Sequence, residues 1–382
     1  MQMFNALPDM PAPPSPELHG VADAQAMAQI SAAAMRCGGC GAKVGATVLS
    51  RTLGTIVPAI RPDVVLGLDA PDDAAVIDSG GAQLSVHTVD YFRANIDDPY
   101  LFGKIAANHA LGDIFAMGAA PQSALAIATI PYGLEAKVEA DLAALMTGAN
   151  EVLRAADCAL AGGHTSEGAE LALGFALTGL VARDAVMRKS GLVPGDVLIL
   201  TKPIGTGALL AAHMRGKAKA RWVFAALAQM QVSNGPAAAI LRAHGARAMT
   251  DVTGFGLLGH LVEMLRASAC AARLSLPSVP LLDGLMETMG RGIFSSLQPQ
   301  NVRLRRAIAN LEAASAQPEF PALFDPQTAG GLLAAVPWAR VSECLAALRA
   351  AGYASAHDIG AVEPLSNVEH HVTIVGEPDA AI

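Results

Sequence analysis

The sequence predicts a mixed fold of the α/β (α+β) class, built as two domains over residues 46–185 and 186–382. Three observations lead to this prediction. Strand patterns alternate along the chain with longer helical patterns. The length of 382 residues exceeds the roughly 100–200 residues of a single domain. A polar turn over residues 186–194 separates the two halves.

The elements follow from turn and cap signals taken in chain order. Five prolines and an Ala/Gln/Met-rich stretch predict that residues 1–45 are a flexible extension ending in a glycine-rich flap. Asp98 followed by Pro99 predicts a helix start, because aspartate caps helices and proline suits their first turn. The expected helices cover residues 46–56, 98–117, 135–155, 222–244 and 342–350, with others starting at 208 and 256. The expected strands begin at residue 64 and cover 83–90, 124–130, 171–181, 195–200 and 332–336.

Composition narrows the class of function. Hydrophobic residues make up 52% of the chain and charged residues 16%, which indicates a well-buried protein with apolar surface available for a subunit interface. The formal net charge of -8 argues against a nucleic-acid binder or an anionic-membrane binder, since both need a basic surface. It suits a protein that gathers carboxylates around divalent cations.

The cysteines indicate a reducing compartment. Of the five, only Cys37 and Cys40 are close in sequence, so the chain lacks the pattern of a disulfide framework. No apolar run reaches the roughly 20 residues of a membrane span, and the N-terminal stretch lacks the basic start of a secretory signal. We therefore expect a cytoplasmic protein.

Glycine surrounds a thiol and a lysine in the stretch Cys37-Gly-Gly-Cys-Gly-Ala-Lys43. Glycine allows close approach of backbone to ligand, a thiol is a soft nucleophile, and lysine is a mobile positive charge. These properties suggest a phosphate and a partner that prefers sulfur. A flexible surface loop, a redox dithiol and half of a zinc site are the alternatives, although a second ligand pair at zinc spacing is missing.

Four aspartates stand at strand ends, in turns or on an apolar helix face: Asp73, Asp90, Asp113 and Asp251. Each taken singly is more often a cap or a turn residue. Together they suggest several divalent cations, because hard cations prefer oxygen ligands. Magnesium usually takes one or two carboxylates and completes its shell with phosphate oxygens and water. The combination indicates a nucleoside triphosphate.

Familiar nucleotide motifs are incomplete. The P-loop pattern is absent, and the segment 202–207 lacks the third glycine of a dinucleotide loop. Two glycine-rich turns, at residues 162–168 and 250–260, are candidates to cradle phosphate through backbone N–H groups. The segment 323–332 reads as ordinary turn chemistry.

Taken together, these segments resemble selenophosphate synthetase (selenide, water dikinase), within the aminoimidazole ribonucleotide synthetase-like superfamily. The matching segments are residues 72–76, 88–92, 97–100, 113–118, 161–164, 200–203, 250–260 and 325–331. The resemblance implies a two-domain fold in which an N-terminal mixed β/α domain forms a homodimer and is followed by a C-terminal α/β domain. The pair Cys37 and Cys40 further resembles the synthetase half of fusions with an oxidoreductase.

The resemblance also implies an activity: ATP, selenide and water give selenophosphate, AMP and phosphate. Cys40 and Lys43 inherit the catalytic roles, since Cys40 precedes Lys43 by the three residues that the family shows. The implied magnesium ligands are Asp73, Asp113 and Asp251. The implied nucleotide contacts are Lys43, Asp90, Asp113, Gly162, Gly163 and His164. A selenium-delivery protein is an expected partner.

Two residues depart from the family pattern. Cys37 is an additional thiol. His109 stands where the family usually has an asparagine near the nucleotide, so either ATP placement changes here or His109 contacts phosphate. The competing hypotheses are another ATP enzyme of the superfamily, such as a small-molecule kinase or a dehydratase, a redox protein using Cys37 and Cys40, and a catalytically silent ATP-binding scaffold.

Overall fold

The computed structural model describes residues 37–44, 46–68 and 70–376, apart from the side chains of residues 40, 46–48 and 50. Most of the expected N-terminal extension therefore lies outside the described residues. The glycine-rich stretch includes a short 3-10 helix, Gly39–Ala42. The described residues belong to one compact unit.

The first half of the chain builds a mixed sheet covered by two long helices. Its elements are α1 (Ala46–Leu53), β1 (Val64–Leu66), β2 (Ala75–Ile77), β3 (Gln83–Arg93), α2 (Pro99–Ala116), β4 (Ala120–Pro131), α3 (Glu135–Ala155), β5 (Ala159–Gly168) and β6 (Ala172–Ala182). The strand order is β1-β2-β3-β6-β4-β5, and neighbours are antiparallel except for the parallel pair β4–β5.

Helix α2 is buried along most of its length between this sheet and α3. The carboxylate of Asp98 accepts a hydrogen bond from the backbone N–H of Leu101 at 3.0 Å, which confirms the predicted cap. The helices α2 and α3 approach closely, because a Cβ atom at Gly103 would lie 2.0 Å from the backbone oxygen of Leu145. This closeness fixes the spacing between the two helices, and α2 carries part of the site.

The second half builds another mixed sheet in the order β12-β9-β11-β7-β10-β8, antiparallel except for the parallel pair β12–β9. Its strands are β7 (Asp196–Leu200), β8 (Ala248–Asp251), β9 (Cys270–Ser275), β10 (Leu332–Pro337), β11 (His357–Pro364) and β12 (Val372–Val375). Its helices are α4 (Thr206–Met214), α5 (Ala220–Met230), α6 (Gly235–Ala243), α7 (Gly256–Ser268), α8 (Leu285–Gly290), α9 (Gln298–Asn301), α10 (Leu311–Ser315) and α11 (Val341–Ala350). Leucines from α7, β7 and β10 fill its core.

The prediction of the mixed α/β class is confirmed, and the helix at 135–155 has the predicted bounds. The predicted helix over 222–244 is wrong, because α5 and α6 are separate helices. The predicted glycine turn at 162–168 is also wrong, since these residues lie in strand β5, paired along β4. The domain boundary at residues 185 and 186 stays a prediction.

Candidate functional site

Three aspartates from distant parts of the sequence converge where strand β8 of the second sheet approaches helix α2. Asp73 precedes β2, Asp113 lies in the last turns of α2, and Asp251 ends β8. One carboxylate oxygen from each lies within 4.8 Å of the others. We call these three residues the acidic cluster. The structure thus brings together the three residues that the sequence predicted as metal ligands.

A glycine on α2 makes this convergence possible. A Cβ atom at Gly112 would lie 2.4 Å from Oδ2 of Asp251, far inside van der Waals contact. The strand β8 can therefore bring its terminal carboxylate against α2 only because residue 112 has no side chain. The neighbouring Asp113 then faces the same space.

Two threonines orient the carboxylates of the acidic cluster. Thr88 on β3 donates a hydrogen bond from Oγ1 to Oδ2 of Asp113 at 2.5 Å. Thr250 on β8 donates from Oγ1 to Oδ1 of Asp73 at 2.8 Å. The other oxygen of Asp73, Oδ2, is buried and has no hydrogen-bond partner among the described residues. A buried carboxylate oxygen without a partner fits a cation ligand, because leaving it unsatisfied is costly.

The electrostatics of the acidic cluster also suit a cation. Burial, followed by repulsion from Asp73, raises the pKa of Asp251 to about 8. Burial, followed by repulsion from Asp251, raises the pKa of Asp113 well above its ordinary value. A divalent cation removes this repulsion by replacing the protons that the carboxyls otherwise retain. The acidic cluster therefore fits a hard divalent metal ion in charge, donor type and geometry.

The ammonium group of Lys189 contacts the acidic cluster, and the sequence did not predict this contact. Nζ of Lys189 lies 3.0 Å from Oδ1 of Asp73 and 3.0 Å from Oε2 of Glu263 on α7. Its backbone N–H donates to Oδ2 of Asp72 at 3.0 Å. Lys189 lies in the polar turn that the sequence marked only as a domain boundary. The adjacent Arg188 and Lys189 were the available signal, but their spacing alone has no diagnostic value.

A second group of charges lies on β3 and α2. Nζ of Lys43 lies 2.8 Å from Oδ1 of Asp90. Burial alone would raise the pKa of Asp90, but the charge and hydrogen bond of Lys43, together with His109, hold this pKa below its ordinary value. Lys43 and Asp90, which are two of the six residues predicted at the nucleotide, are thus direct partners.

His109 completes this group. Its Nδ1 accepts a hydrogen bond from the backbone N–H of Ala329 at 3.0 Å, and its Nε2 lies 3.4 Å from Oδ2 of Asp90. Burial lowers the pKa of His109 to about 4, so the ring is neutral with its proton on Nε2. Both ring nitrogens therefore face protein atoms, and the phosphate contact considered from the sequence stays a prediction.

For the remaining predicted residues, the proposed contacts are untested. The side chain of Cys40 lies outside the described part of the chain, and its catalytic role stays a prediction. Gly162, Gly163 and His164 lie on β5, an exposed edge strand. Three strand spacings separate β5 from β3, which is roughly 14 Å at about 4.8 Å each. Their contact with the nucleotide also stays a prediction.

None of the helices among the described residues has both the length and the apolar character that crossing a membrane requires.

Comparison with protein families identifies both halves of the chain. Residues 71–181 match the family described as AIR synthase related protein, N-terminal domain. Residues 193–373 match the AIR synthase related protein, C-terminal domain. The predicted aminoimidazole ribonucleotide synthetase-like fold is therefore confirmed.

Solved structures share this fold at low sequence identity. The HypE–HypF complex matches with a TM-score of 0.65 and 16% identity, covering 87% of this chain and 96% of that chain. Thiamine-monophosphate kinase from Stenotrophomonas maltophilia matches with a TM-score of 0.58 and 21% identity, covering 88% and 97%. HypE in complex with ATP matches with a TM-score of 0.57 and 17% identity, covering 84% and 85%.

Curated relatives are closer in sequence. A protein of Pelobacter propionicus named selenide, water dikinase is 36% identical over 333 residues, covering 86% of this chain and 95% of the relative. Proteins of the same name from Paraburkholderia xenovorans and Carboxydothermus hydrogenoformans are 38% and 36% identical, each covering 85% of this chain and 91% and 94% of the relatives. On this similarity across most of its length, the chain belongs to the selenide, water dikinase family.

Proposed function

We propose that this chain catalyses the ATP-dependent synthesis of selenophosphate from selenide and water, with release of AMP and phosphate. The observation that carries the proposal is the acidic cluster, which the fold assembles in a chain 36–38% identical to proteins named selenide, water dikinase. Phosphoryl transfer depends mainly on positioning and charge neutralisation, and the site supplies residues for both.

Magnesium is the proposed metal ion. Asp73, Asp113 and Asp251 would hold it through oxygen ligands, and the ion would neutralise phosphate charge when bound. The threonines that orient Asp73 and Asp113 support this assignment, because ligating carboxylates are usually held by a surrounding hydrogen-bond shell. The raised pKa of Asp251 predicts that metal binding releases protons near neutral pH.

The glycine-rich stretch provides the proposed catalytic groups. Lys43 supplies positive charge beside the transferring phosphoryl group, and Asp90 holds the ammonium in place at 2.8 Å. Cys40 handles selenium, for which a polarizable thiolate is suited. Residues 37–44 then cover the site and restrict water while the phosphoryl group is transferred.

Nucleotide placement and assembly are part of the proposal. ATP is assigned to Lys43, Asp90 and Asp113, with Gly162, Gly163 and His164 as further contacts.

A homodimer through the N-terminal half is supported by apolar side chains on the outward face of the first sheet. Val89 is 62% exposed and Leu125 48% exposed there. A selenium-delivery protein and a cytoplasmic location complete the proposal.

The test follows ATP by phosphorus NMR in the presence of selenide and magnesium under anaerobic conditions. We expect selenide-dependent AMP, phosphate and a selenophosphate signal. ADP as the sole product would instead indicate a small-molecule kinase of the same superfamily. A Cys40→Ser variant with full activity on selenide would contradict the role assigned to that thiol.

A further inference from the structure

Ser296 contacts the glycine-rich stretch at both ends of one turn. The backbone N–H of Cys37 donates to Oγ of Ser296 at 3.0 Å, and the same Oγ donates to the backbone oxygen of Gly41 at 3.1 Å. The backbone N–H of Ser296 donates in turn to Sγ of Cys37 at 3.4 Å. These three hydrogen bonds, which we call the Ser296 clamp, join segments about 259 residues apart in sequence.

The thiol of Cys37 belongs to the interior of the protein. Its residue is only 6% exposed, and it packs with Ala211, Ala212 and Ile293 from the second half of the chain. Its backbone oxygen also accepts a hydrogen bond from Nη2 of Arg93 on β3 at 3.3 Å. Cys37 is therefore an anchor point between the two halves, with its sulfur used as a hydrogen-bond acceptor.

The position of the clamp restricts the residues proposed for catalysis. Cys40 lies inside the turn whose ends are fixed at residues 37 and 41. Lys43 follows two residues later, so its Cα lies within roughly 7 Å of the Gly41 Cα at about 3.6 Å per residue. An anchored Gly41 therefore limits where Lys43 can reach, and the ammonium lies 2.8 Å from Asp90.

We propose that Ser296 and Cys37 are positioning residues, which hold the turn containing Cys40 and the adjacent Lys43 over the acidic cluster. In this arrangement Cys37 acts through packing and hydrogen bonding and takes no part in electron transfer. The inference rests on the proposed function for its effect on turnover. Its effect on the geometry of the stretch is independent of that function.

The geometric test uses trypsin cleavage after Lys43 in the folded, metal-free protein, followed by mass spectrometry. Ser296→Ala removes the hydroxyl that bonds both ends of the turn, and we expect cleavage at least fivefold faster than in wild type. Ser296→Thr keeps a hydroxyl and should restore slow cleavage. Ser315→Ala is the matched control, because that exposed hydroxyl bonds only within its own helix turn among the described residues. Equal cleavage in Ser296→Ala and Ser315→Ala would overturn the proposal.

The kinetic test separates positioning from stability. Ser296→Ala should lower kcat for selenide-dependent AMP formation at least tenfold and change KM for ATP less than threefold. A lower melting temperature with wild-type kcat and wild-type cleavage would mean a purely structural role and would overturn the proposal. If wild type makes no selenophosphate, the proposed function fails while the cleavage assay still decides the inference.

Two variants of Cys37 test the role of its sulfur. Cys37→Ser keeps an acceptor for the N–H of Ser296 and should retain cleavage and kcat within threefold of wild type. Cys37→Val fills similar space without an acceptor and should behave like Ser296→Ala. It also carries the test if Ser296→Ala does not fold. Loss of activity in Cys37→Ser with unchanged cleavage would contradict the proposal and favour a dithiol redox role.

Discussion

Replacing Asp251 by asparagine should stabilise the metal-free protein and abolish its response to magnesium. The pKa of this buried carboxyl is raised from 3.8 to about 8. A raised pKa means that the folded state holds the proton more tightly than the unfolded state. Its stabilising contribution is therefore fully present below about pH 4 and is lost as pH rises toward about 8.

The size of the effect follows from this difference in pKa. About 4 pKa units at 1.36 kcal/mol each amount to about 5 kcal/mol of unfolding free energy lost by pH 8. Asparagine carries no charge and avoids this loss, but a buried amide without a full set of partners costs about 1–3 kcal/mol. We expect Asp251→Asn to exceed wild type by about 2–4 kcal/mol at pH 8, a gain that shrinks to near zero at pH 5.

The assay is thermal unfolding in EDTA at pH 5 and pH 8, repeated with magnesium and ATP. At pH 8 in EDTA the variant should melt about 3 °C or more above wild type. Magnesium with ATP should raise the melting temperature of wild type only. Asp184→Asn, at an exposed aspartate, should follow wild type throughout. A variant that melts below wild type at pH 8 in EDTA would refute the conclusion that the raised pKa of Asp251 destabilises the metal-free protein.

Three further substitutions test the packing around the site. Gly112→Ala places a Cβ atom 2.4 Å from a carboxylate oxygen of the acidic cluster, and titration calorimetry should show magnesium affinity reduced at least tenfold. Gly103→Ala places a Cβ atom 2.0 Å from a backbone oxygen of α3, so urea unfolding should show the free energy of unfolding reduced by about 2 kcal/mol or more. Gly81→Ala is the control, because a Cβ atom there meets open space, and its free energy of unfolding should change little. Thr250→Val removes the hydrogen bond to Asp73, and the same calorimetry should show magnesium affinity falling about 10–100-fold, with Thr250→Ser close to wild type.

The acidic cluster was predictable in two steps, because the sequence pattern singled out four aspartates and the family resemblance then implied three of them as metal ligands. The positions of these three in the sequence drew attention to them: Asp73 lies in a turn, Asp113 on an apolar helix face and Asp251 before a glycine-rich helix start. The order of matching segments then supplied the family and its two-domain fold. Helix bounds with clear caps, such as the start at Asp98, were also predictable from the sequence.

The strand β5 was not predictable from its own residues. A run with paired glycines and polar side chains has the local preferences of a turn. It becomes a strand because β4 offers a parallel partner along residues 159–168, although nearly all of its residues remain exposed. Tertiary pairing outweighs local preference here, and periodicity cannot report a pairing between distant segments.

The contacts that hold the site together could not be predicted either, because they also join segments that are distant in sequence. Lys189, Glu263 and Ser296 carry no motif, and each acts on a residue between 74 and 259 positions away. Their roles arise from three-dimensional proximity alone. Sequence patterns therefore located the groups proposed to bind metal and phosphate, and the structure was needed to locate those that orient them.

The placement of these groups has a consequence for stability. Asp73 and Asp113 come from the first half of the chain and Asp251 from the second, so a cation shared by all three is a bridge between the halves. The Ser296 clamp is a second bridge, because it joins the segment after α8 to the glycine-rich stretch, whose Cys37 is also bonded by Arg93 on β3. Without a cation, repulsion within the acidic cluster opposes the first bridge while the clamp and Lys189 retain the arrangement. Metal binding should therefore strengthen the contact between halves most in variants that lack the clamp, since those retain only the acidic cluster and Lys189 of these contacts.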